Sequence, residues 1–403
     1  MRASSLRLVA VVALLGALFL SNAVDRSPPV AGARVRAAGP IIGVRLADGP
    51  IARTLEVGPG GMRIEHPEGS EKIIAGTYPL VLTDTHARIA DWEIGRSTPF
   101  RFRGVRFPIG ISTSDGKDVR NYDGWIEVEP PGDDGTWMLI NRLPLERYLL
   151  GVLPGEMPTS KFDAEALRSQ AVIARTYALF HILSRPESRW HVRDNTRSQM
   201  FLGSGEVDEY AREAIDATRG RVLTYEGRIF ESFFHSTCGG GTRPVEAKYG
   251  GDPFPPLSAV PCDGCRHSSR YRWESRISVG TLREALLPIC AEHEISLGKI
   301  EKIEPVDPAL GGHCAYVRIV HSKGAFELDS ETFRTRVKAR GARCYSTSFI
   351  VTRSGDTFKL VGKGWGHGLG MCQFGSDGYA QRDFRHGAIL EHYYPGSRIE
   401  ALW

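Results

Sequence analysis

The sequence predicts an α+β fold, with a β-rich N-terminal domain followed by a domain that mixes helices and strands. Three observations predict it. Between Pro40 and Leu143, short runs such as IIGVRLAD, RTLEVGPGG, MRIEHPEG, RFRGVRFPIGIS and DGWIEVEP are broken by Gly, Pro and Asp. That period-two pattern belongs to antiparallel strands joined by turns. Next, TSKFDAEALRSQAVIARTYALFHILSR carries Leu167, Ala171, Ala174, Ala178 and Ile182 at three- or four-residue steps, an apolar helical stripe that Asp163 can cap. Finally, residues 270–358 hold one helix-like run, VGTLREALLPICAEHE, among strand-like runs such as AYVRIVHSK and STSFIVTRSG.

Taken in order, the chain opens with the basic MRASSLR, then thirteen apolar residues from Leu8 to Leu20, then Ser21-Asn22-Ala23. This is the layout of a secretory signal. The apolar run is short beside the ~20 residues of a bilayer span, and an uncleaved N-terminal anchor is the alternative. Either reading predicts export, to a periplasm or cell envelope. Residues 24–39, rich in Pro, Ala and Arg, read as a linker. Residues 40–143 form the β-rich accessory domain, which gathers no titratable cluster. Residues 144–403 form the second domain, with 270–358 as a scaffold inside it.

Composition narrows the function. The 403 residues carry a net charge of +4, from 51 basic and 47 acidic side chains. No basic run with interleaved aromatics occurs, which argues against nucleic acid as a partner. The seven cysteines are Cys238, Cys262, Cys265, Cys290, Cys314, Cys344 and Cys372. Export permits disulfides, and an odd count leaves at least one cysteine outside any intramolecular set.

Three stretches carry candidate chemistry. In GVLPGEMP, Glu156 stands among apolar and rigid neighbours. Pro158 fixes the following turn, which places Glu156 in an irregular loop close to a helix start. A carboxyl in such surroundings has its charged form disfavoured and its pKa raised, the condition for a proton donor near neutrality. In FESFFHSTCGGGTRPVE, an aromatic strand ends in His-Ser-Thr-Cys and three glycines, an arrangement common at sites and also at plain hairpin corners. In GKGWGHGLGMCQFG, glycines alternate from 362 to 370, which on a strand puts Lys363, Trp365, His367 and Leu369 on one face. Glycines so dense point to close approach by a ligand or a packed element. Trp365 beside His367 suits a sugar ring; a core Trp365 is the alternative.

Together the motifs GVLPGEMP, ALRSQAVIARTYAL, DNTRSQMFLG, FFHSTCGGGT, GKGWGHGLGMCQFGSDGYA and ILEHYYPGSRI resemble, in content and order, the SpoIID/LytB family of stage II sporulation protein D and the amidase enhancers. The resemblance runs from about Leu143 to the end. It implies a groove that binds cell-wall glycan. It also implies a lytic transglycosylase that cuts the MurNAc–GlcNAc bond, chiefly in peptide-stripped strands, and leaves 1,6-anhydro-MurNAc ends. The family's catalytic glutamate falls at Glu156. One carboxylate suffices for that chemistry, because the sugar's own C6 hydroxyl replaces the water that a second carboxylate would activate. Asp163, Glu165 and Asp194 read as cap, helix surface and loop. By the same resemblance Gln170, Arg175, Tyr177, Gln199, His235, Ser236, Thr237, His367 and Gln373 lie near the groove, with a structural tie as the alternative for Arg175. The implied partners are peptidoglycan strands and, for a non-catalytic activator, a cell-wall amidase.

The chain departs from the family at one place. Some members hold zinc with His and Cys after the Arg-Thr-Tyr helix, whereas RWHVRDNTRSQMFLG retains His191 and no Cys. A different set, Cys238, Cys262, Cys265 and His267, has the composition of a structural zinc site. A disulfide within its three cysteines is the alternative. Such a zinc would pin a loop, and the chemistry itself requires no cofactor.

Overall fold

The computed structural model describes residue 28 and residues 39–48, 51–113, 115–131, 135–203 and 208–403. These fall into two compact units: residues 27–231 with the tail 399–403, and residues 232–398. Both strands and helices fill the chain, and several separate sheets occur among the described residues, so the fold is mixed α+β.

The first unit contains two large sheets made mostly of antiparallel strands, besides the small sheet Arg228–Ile229, Arg221–Tyr225, Arg398–Ala401. One runs Val192–Arg193, Ile41–Asp48, Met138–Pro144, Trp125–Glu129, Phe100–Gly104, Met62–His66, Gly69–Ile73. The other runs Val119–Tyr122, Ile109–Ser112, Ile51–Val57, Gly76–Leu82, His86–Ile89, Trp92–Gly95. The sequence alternation decides which faces go inward. Phe100 and Phe102 are buried while Arg101 and Arg103 are exposed, and Ile51, Leu55 and Val57 are buried while Ala52 and Glu56 are exposed. Each fully buried side chain of the Phe102 kind contributes ~1.5–3 kcal/mol.

The compact units part at Glu231–Ser232, whereas the sequence suggested a break at 143–144. Strand Met138–Pro144 bonds Ile41–Asp48 on one side and Trp125–Glu129 on the other. It then passes directly into the helix Leu145–Glu156. Downstream, Val192–Arg193 returns as a parallel neighbour of Ile41–Asp48, with Val192 opposite Val44. The helices are thus stitched to the β-rich part by backbone hydrogen bonds. The long helix Ala164–Ser184 starts where its residue types predict, with the Asp163 carboxylate accepting from the Glu165 N–H at 2.8 Å. It is buried almost all round, including Ser169, Gln170 and Thr176, because the helices Leu145–Glu156 and Glu209–Ala217 and the strand Arg221–Tyr225 surround it.

The second unit has a core of its own. Trp273, Leu282, Leu286, Phe326, Phe333, Phe349 and Leu360 pack together. They come from the sheets Arg272–Ser278/Thr357–Lys363/Phe349–Ser354 and Ile300–Pro308/Cys314–His321/Gly324–Asp329, and from the helices Val279–Glu292 and Ser330–Ala339. A short parallel pair, Phe234–His235 with Met371–Cys372, brings two distant motifs side by side.

The expected location of the chain requires correction. Among the described residues no helix is long and apolar enough to cross a membrane, so the N-terminal anchor has no support. The segment from Leu8 to Leu20, and with it the whole of 1–23, lies outside the described residues, as does nearly all of the linker 24–39.

Candidate active site

In the first unit, Glu156 is the last residue of the helix Leu145–Glu156, not part of an irregular loop. Pro154 lies inside this helix and, lacking an N–H, forfeits a bond to the Leu150 carbonyl. The helix persists because Leu145, Tyr148, Leu149, Val152 and Leu153 are buried, and tertiary packing outweighs one lost bond. The chain turns extended at Met157, the conformation that the following Pro158 favours.

Gly151 and Gly155 are four apart and share a helix face. A Cβ at Gly151 would strike the Gly203 carbonyl, and one at Gly155 the Met200 carbonyl. Residues 200–203 therefore lie directly on this face, and the Leu202 N–H donates to the Gly151 carbonyl at 3.1 Å. The Met200 N–H donates to Glu156 Oε1 at 2.7 Å, which fixes the carboxyl group.

Burial pushes the Glu156 carboxyl up to about 7, against the smaller opposing effect of the Met200 N–H. Its place at a helix C-terminus acts in the same upward direction, since the backbone dipoles end there in partial negative charge. Among the described residues no ion pair involves Glu156. One consequence is testable. Gly155→Ala should destabilise the chain by ~1–3 kcal/mol through overpacking, although alanine favours a helix interior by about 1 kcal/mol. Urea unfolding measures the balance.

The other residues expected near the groove in this unit are buried. Arg175 is 0% exposed. Its Nε and Nη2 donate to the two Glu146 oxygens at 2.9 and 2.8 Å, and Nη1 donates to the Arg221 carbonyl at 3.0 Å. It is a structural tie, the alternative reading of its sequence position. Gln170 is fully buried within the long helix. Gln199 is also fully buried and accepts from the Tyr148 hydroxyl at 3.1 Å, one residue before the Met200 that holds Glu156. Tyr177 is buried, its ring edge-on to His181 at 4.4 Å between centroids. His191 is buried too, its Nδ1 accepting from the Gly43 N–H at 2.9 Å.

In the second unit the alternating glycines do not form a strand beyond Lys363. Gly364, Gly366, Gly368 and Gly370 all have positive φ, so the backbone zigzags through conformations open to glycine. What approaches is the His-Ser-Thr-Cys segment and a second histidine. A Cβ at Gly366 would lie 2.8 Å from the His235 Cβ, and one at Gly368 would lie 2.7 Å from the His313 ring. Thr237 and Trp365 exchange backbone hydrogen bonds at 3.0 and 2.7 Å.

This packing brings His235 and His367 to 5.5 Å between ring centroids. Burial lowers the pKa of both, His235 to about 4 and His367 well below its usual value, so both rings are neutral at pH 7. Neutral His235 donates through Nδ1 to the Leu369 carbonyl at 3.0 Å, which leaves Nε2 a bare acceptor with no protein partner. His367 Nδ1 accepts from the Leu369 N–H at 3.0 Å, which leaves Nε2–H a donor. Trp365 is 41% exposed, so it is not core. Ser236 is half-buried and its carbonyl accepts from the Phe374 N–H at 3.0 Å. That bond sets Gln373, buried at the start of the helix Gln373–Ala380, beside it. Thr237 Oγ1 is bonded to Ser268 Oγ at 2.8 Å.

Sequence reasoning overlooked His313. It is fully buried, with Nδ1 bonded to Thr347 Oγ1 at 2.9 Å and Nε2 to the Cys238 carbonyl at 3.1 Å. Only the tertiary fold brings it against Gly368.

The candidate metal ligands need one substitution. Cys238, Cys262 and Cys265 come together with Cys372, their sulfurs all within 4.8 Å of one another. His267 is not in this group. Its Nε2 lies 3.0 Å from Asp377 Oδ2 and its Nδ1 3.1 Å from the Gly264 carbonyl. Cys372 was visible in the sequence, inside GMCQFG, but nothing local joins it to a cysteine 134 residues away; the parallel pairing of His235 with Cys372 does so.

Comparison with known proteins agrees with this arrangement of motifs. Residues 133–225 match the family described as stage II sporulation protein, and residues 262–370 match a domain of unknown function. An uncharacterized protein of Brachyspira hyodysenteriae is 31% identical over 72% of this chain and 76% of its own length. Stage II sporulation protein D of Bacillus subtilis is 27% identical over 64% of this chain and 75% of its own. The amidase enhancer of Bacillus subtilis is 26% identical over 62% of this chain and 40% of its own. The chain therefore belongs to the SpoIID/LytB family, that of stage II sporulation protein D and the amidase enhancers.

Proposed function

We propose that this chain is a peptidoglycan lytic transglycosylase in which Glu156 is the single acid and base. The observation that carries the reading is the state of Glu156: partly buried, held by one backbone N–H, and poised near neutrality. Membership of a family with a cell-wall related role supports the reading. The protonated carboxyl gives its proton to the glycosidic oxygen as the bond from MurNAc C1 to that oxygen breaks. The carboxylate so formed takes the proton of the MurNAc C6 hydroxyl as O6 bonds C1. Glu156 returns to its protonated form and no water is consumed. The tethered nucleophile supplies a high effective concentration, so no second carboxylate is required. In the second unit, the exposed Trp365 suits a sugar face.

The test is digestion of peptide-free glycan strands in water enriched in oxygen-18. Anhydro-MurNAc ends free of label are the expected product, and labelled reducing ends overturn the mechanism. A relative named amidase enhancer favours a second reading, a non-catalytic activator. No product from the strands, with acceleration of an added cell-wall amidase, would establish it instead.

The pH dependence follows from the acid's protonation. With its pKa raised to about 7, kcat/KM should fall about tenfold per unit at alkaline pH and should show no loss from Glu156 between pH 7 and 5. A pH–rate profile on the same strands checks this.

A further inference from the structure

We propose that Cys238, Cys262, Cys265 and Cys372 together bind one zinc ion in a closed structural site. The four buried sulfurs lie within 4.8 Å of one another, and the Cys238 and Cys265 sulfurs are 3.6 Å apart. A tetrahedron with zinc–sulfur bonds of ~2.3 Å has edges of roughly 3.8 Å, whereas a disulfide needs about 2.05 Å. The cluster has the size of the first and not of the second.

The surroundings are those of thiolates. Cys372 Sγ accepts backbone N–H groups from Cys238 and from Gly375, each at 3.2 Å. The Cys262 sulfur is 3.1 Å from the Tyr393 hydroxyl. Donors aimed at sulfur stabilise negative charge there and fix the ligand's direction. The Cys372 sulfur also lies 3.6 Å from the Ser236 carbonyl. Cys290, Cys314 and Cys344 sit apart from the cluster, in the hydrophobic core.

The backbone is shaped around the cluster as well. Cys262 and Cys265 flank the start of the 3-10 turn Gly264–His267. Cys372 caps the helix Gln373–Ala380. At Gly375 a Cβ would lie 2.6 Å from the Cys262 sulfur, and at Gly264 one would lie 2.5 Å from the Gly375 carbonyl. The turn and the helix start thus meet at a distance that admits no side chain.

All four ligands come from the protein, so no position remains for a reacting water, and the role is to fasten chain segments. The segments fastened are those that carry Ser236 and Thr237, just before Cys238, and Gln373, just after Cys372. Sulfurs this close enclose a single ion, and zinc outcompetes iron(II) at such ligands.

The experiment uses the full chain, purified anaerobically without reductant or chelator. Metal analysis should return one zinc per chain. Cobalt(II) exchanged into the site should show thiolate charge-transfer absorption and intense tetrahedral d–d bands. Mass spectrometry after chelation, denaturation and alkylation should find all seven cysteines alkylated. Cys372→Ser should lower zinc from one per chain to none, while His267→Ala and Cys290→Ser keep it. A zinc-free chain without the cobalt charge-transfer band, iron in place of zinc, or a disulfide among the four positions would each overturn the site. Loss of zinc in His267→Ala would overturn the ligand set. If Cys372→Ser does not fold, the wild-type cobalt spectrum and thiol count decide alone.

Discussion

Glu156→Gln should lower the rate of anhydro-MurNAc formation by at least ~100-fold while leaving the chain folded and, at alkaline pH, more stable than wild type. The loss of rate follows from removing the only group assigned to proton transfer, and general acid–base catalysis accounts for about 10²–10⁴-fold. The gain in stability follows from the same environment. The carboxyl's pKa is raised from 4.5 to about 7 in the folded chain, so it favours folding while protonated. That contribution is complete below pH ~4.5 and is lost as pH rises through about 7. Glutamine stays neutral throughout and can still accept the Met200 N–H. At pH 8 the variant should be more stable by roughly 1–3 kcal/mol, and at pH 4 by nearly nothing. Urea melts at the two pH values, beside product analysis by mass spectrometry, read both effects. An inactive variant whose stability gain over wild type does not grow from pH 4 to pH 8 would show that Glu156 is not held near neutrality. An active variant would remove it from the chemistry.

Arg175→Met should cost ~3–5 kcal/mol, the usual result of removing one partner from a buried ion pair. The size of the loss is set by what remains. Glu146 Oε1 accepts from Arg175 Nε, from the Gly220 N–H at 3.2 Å and from Trp403 Nε1 at 3.1 Å. Without the guanidinium, a buried carboxyl group loses its counter-ion. Replacing both, as Arg175→Met with Glu146→Leu, should recover much of the loss, since well-packed apolar pairs often match buried ion pairs. Denaturant unfolding of the two single variants and the double variant gives the coupling. Activity per folded molecule should be unchanged, which separates a tie in the fold from a residue that touches glycan.

Much of this was legible because it is local. Asp163 could be read as a cap because a carboxylate one residue before a helix bonds its first N–H groups whatever lies elsewhere. The strands of the β-rich part could be read because alternation is set by the pleat. Glu156 could be singled out as a charge among rigid and apolar residues, yet its secondary structure was misjudged. Two prolines in five residues signal a loop, and only the burial of Tyr148, Val152 and Leu153 shows why a helix tolerates Pro154. Arg175 was expected near the groove with a structural tie as the alternative, and its complete burial against Glu146, which no local pattern states, makes it the tie. The alternating glycines of 364–370 misled in another way. Period two is the signature of a strand, but it arises equally when every second residue takes positive φ.

By itself the sequence determined the α+β class, the capped long helix and the family of its motifs, and it singled out the carboxyl group of Glu156, because these rest on short-range periodicity and on residue chemistry. The tertiary structure alone decided which polar residues are ties, which histidines are neutral, and that Cys372 rather than His267 joins Cys238, Cys262 and Cys265. Those outcomes depend on desolvation and on contacts between residues up to 257 positions apart, which exist only once the chain has folded.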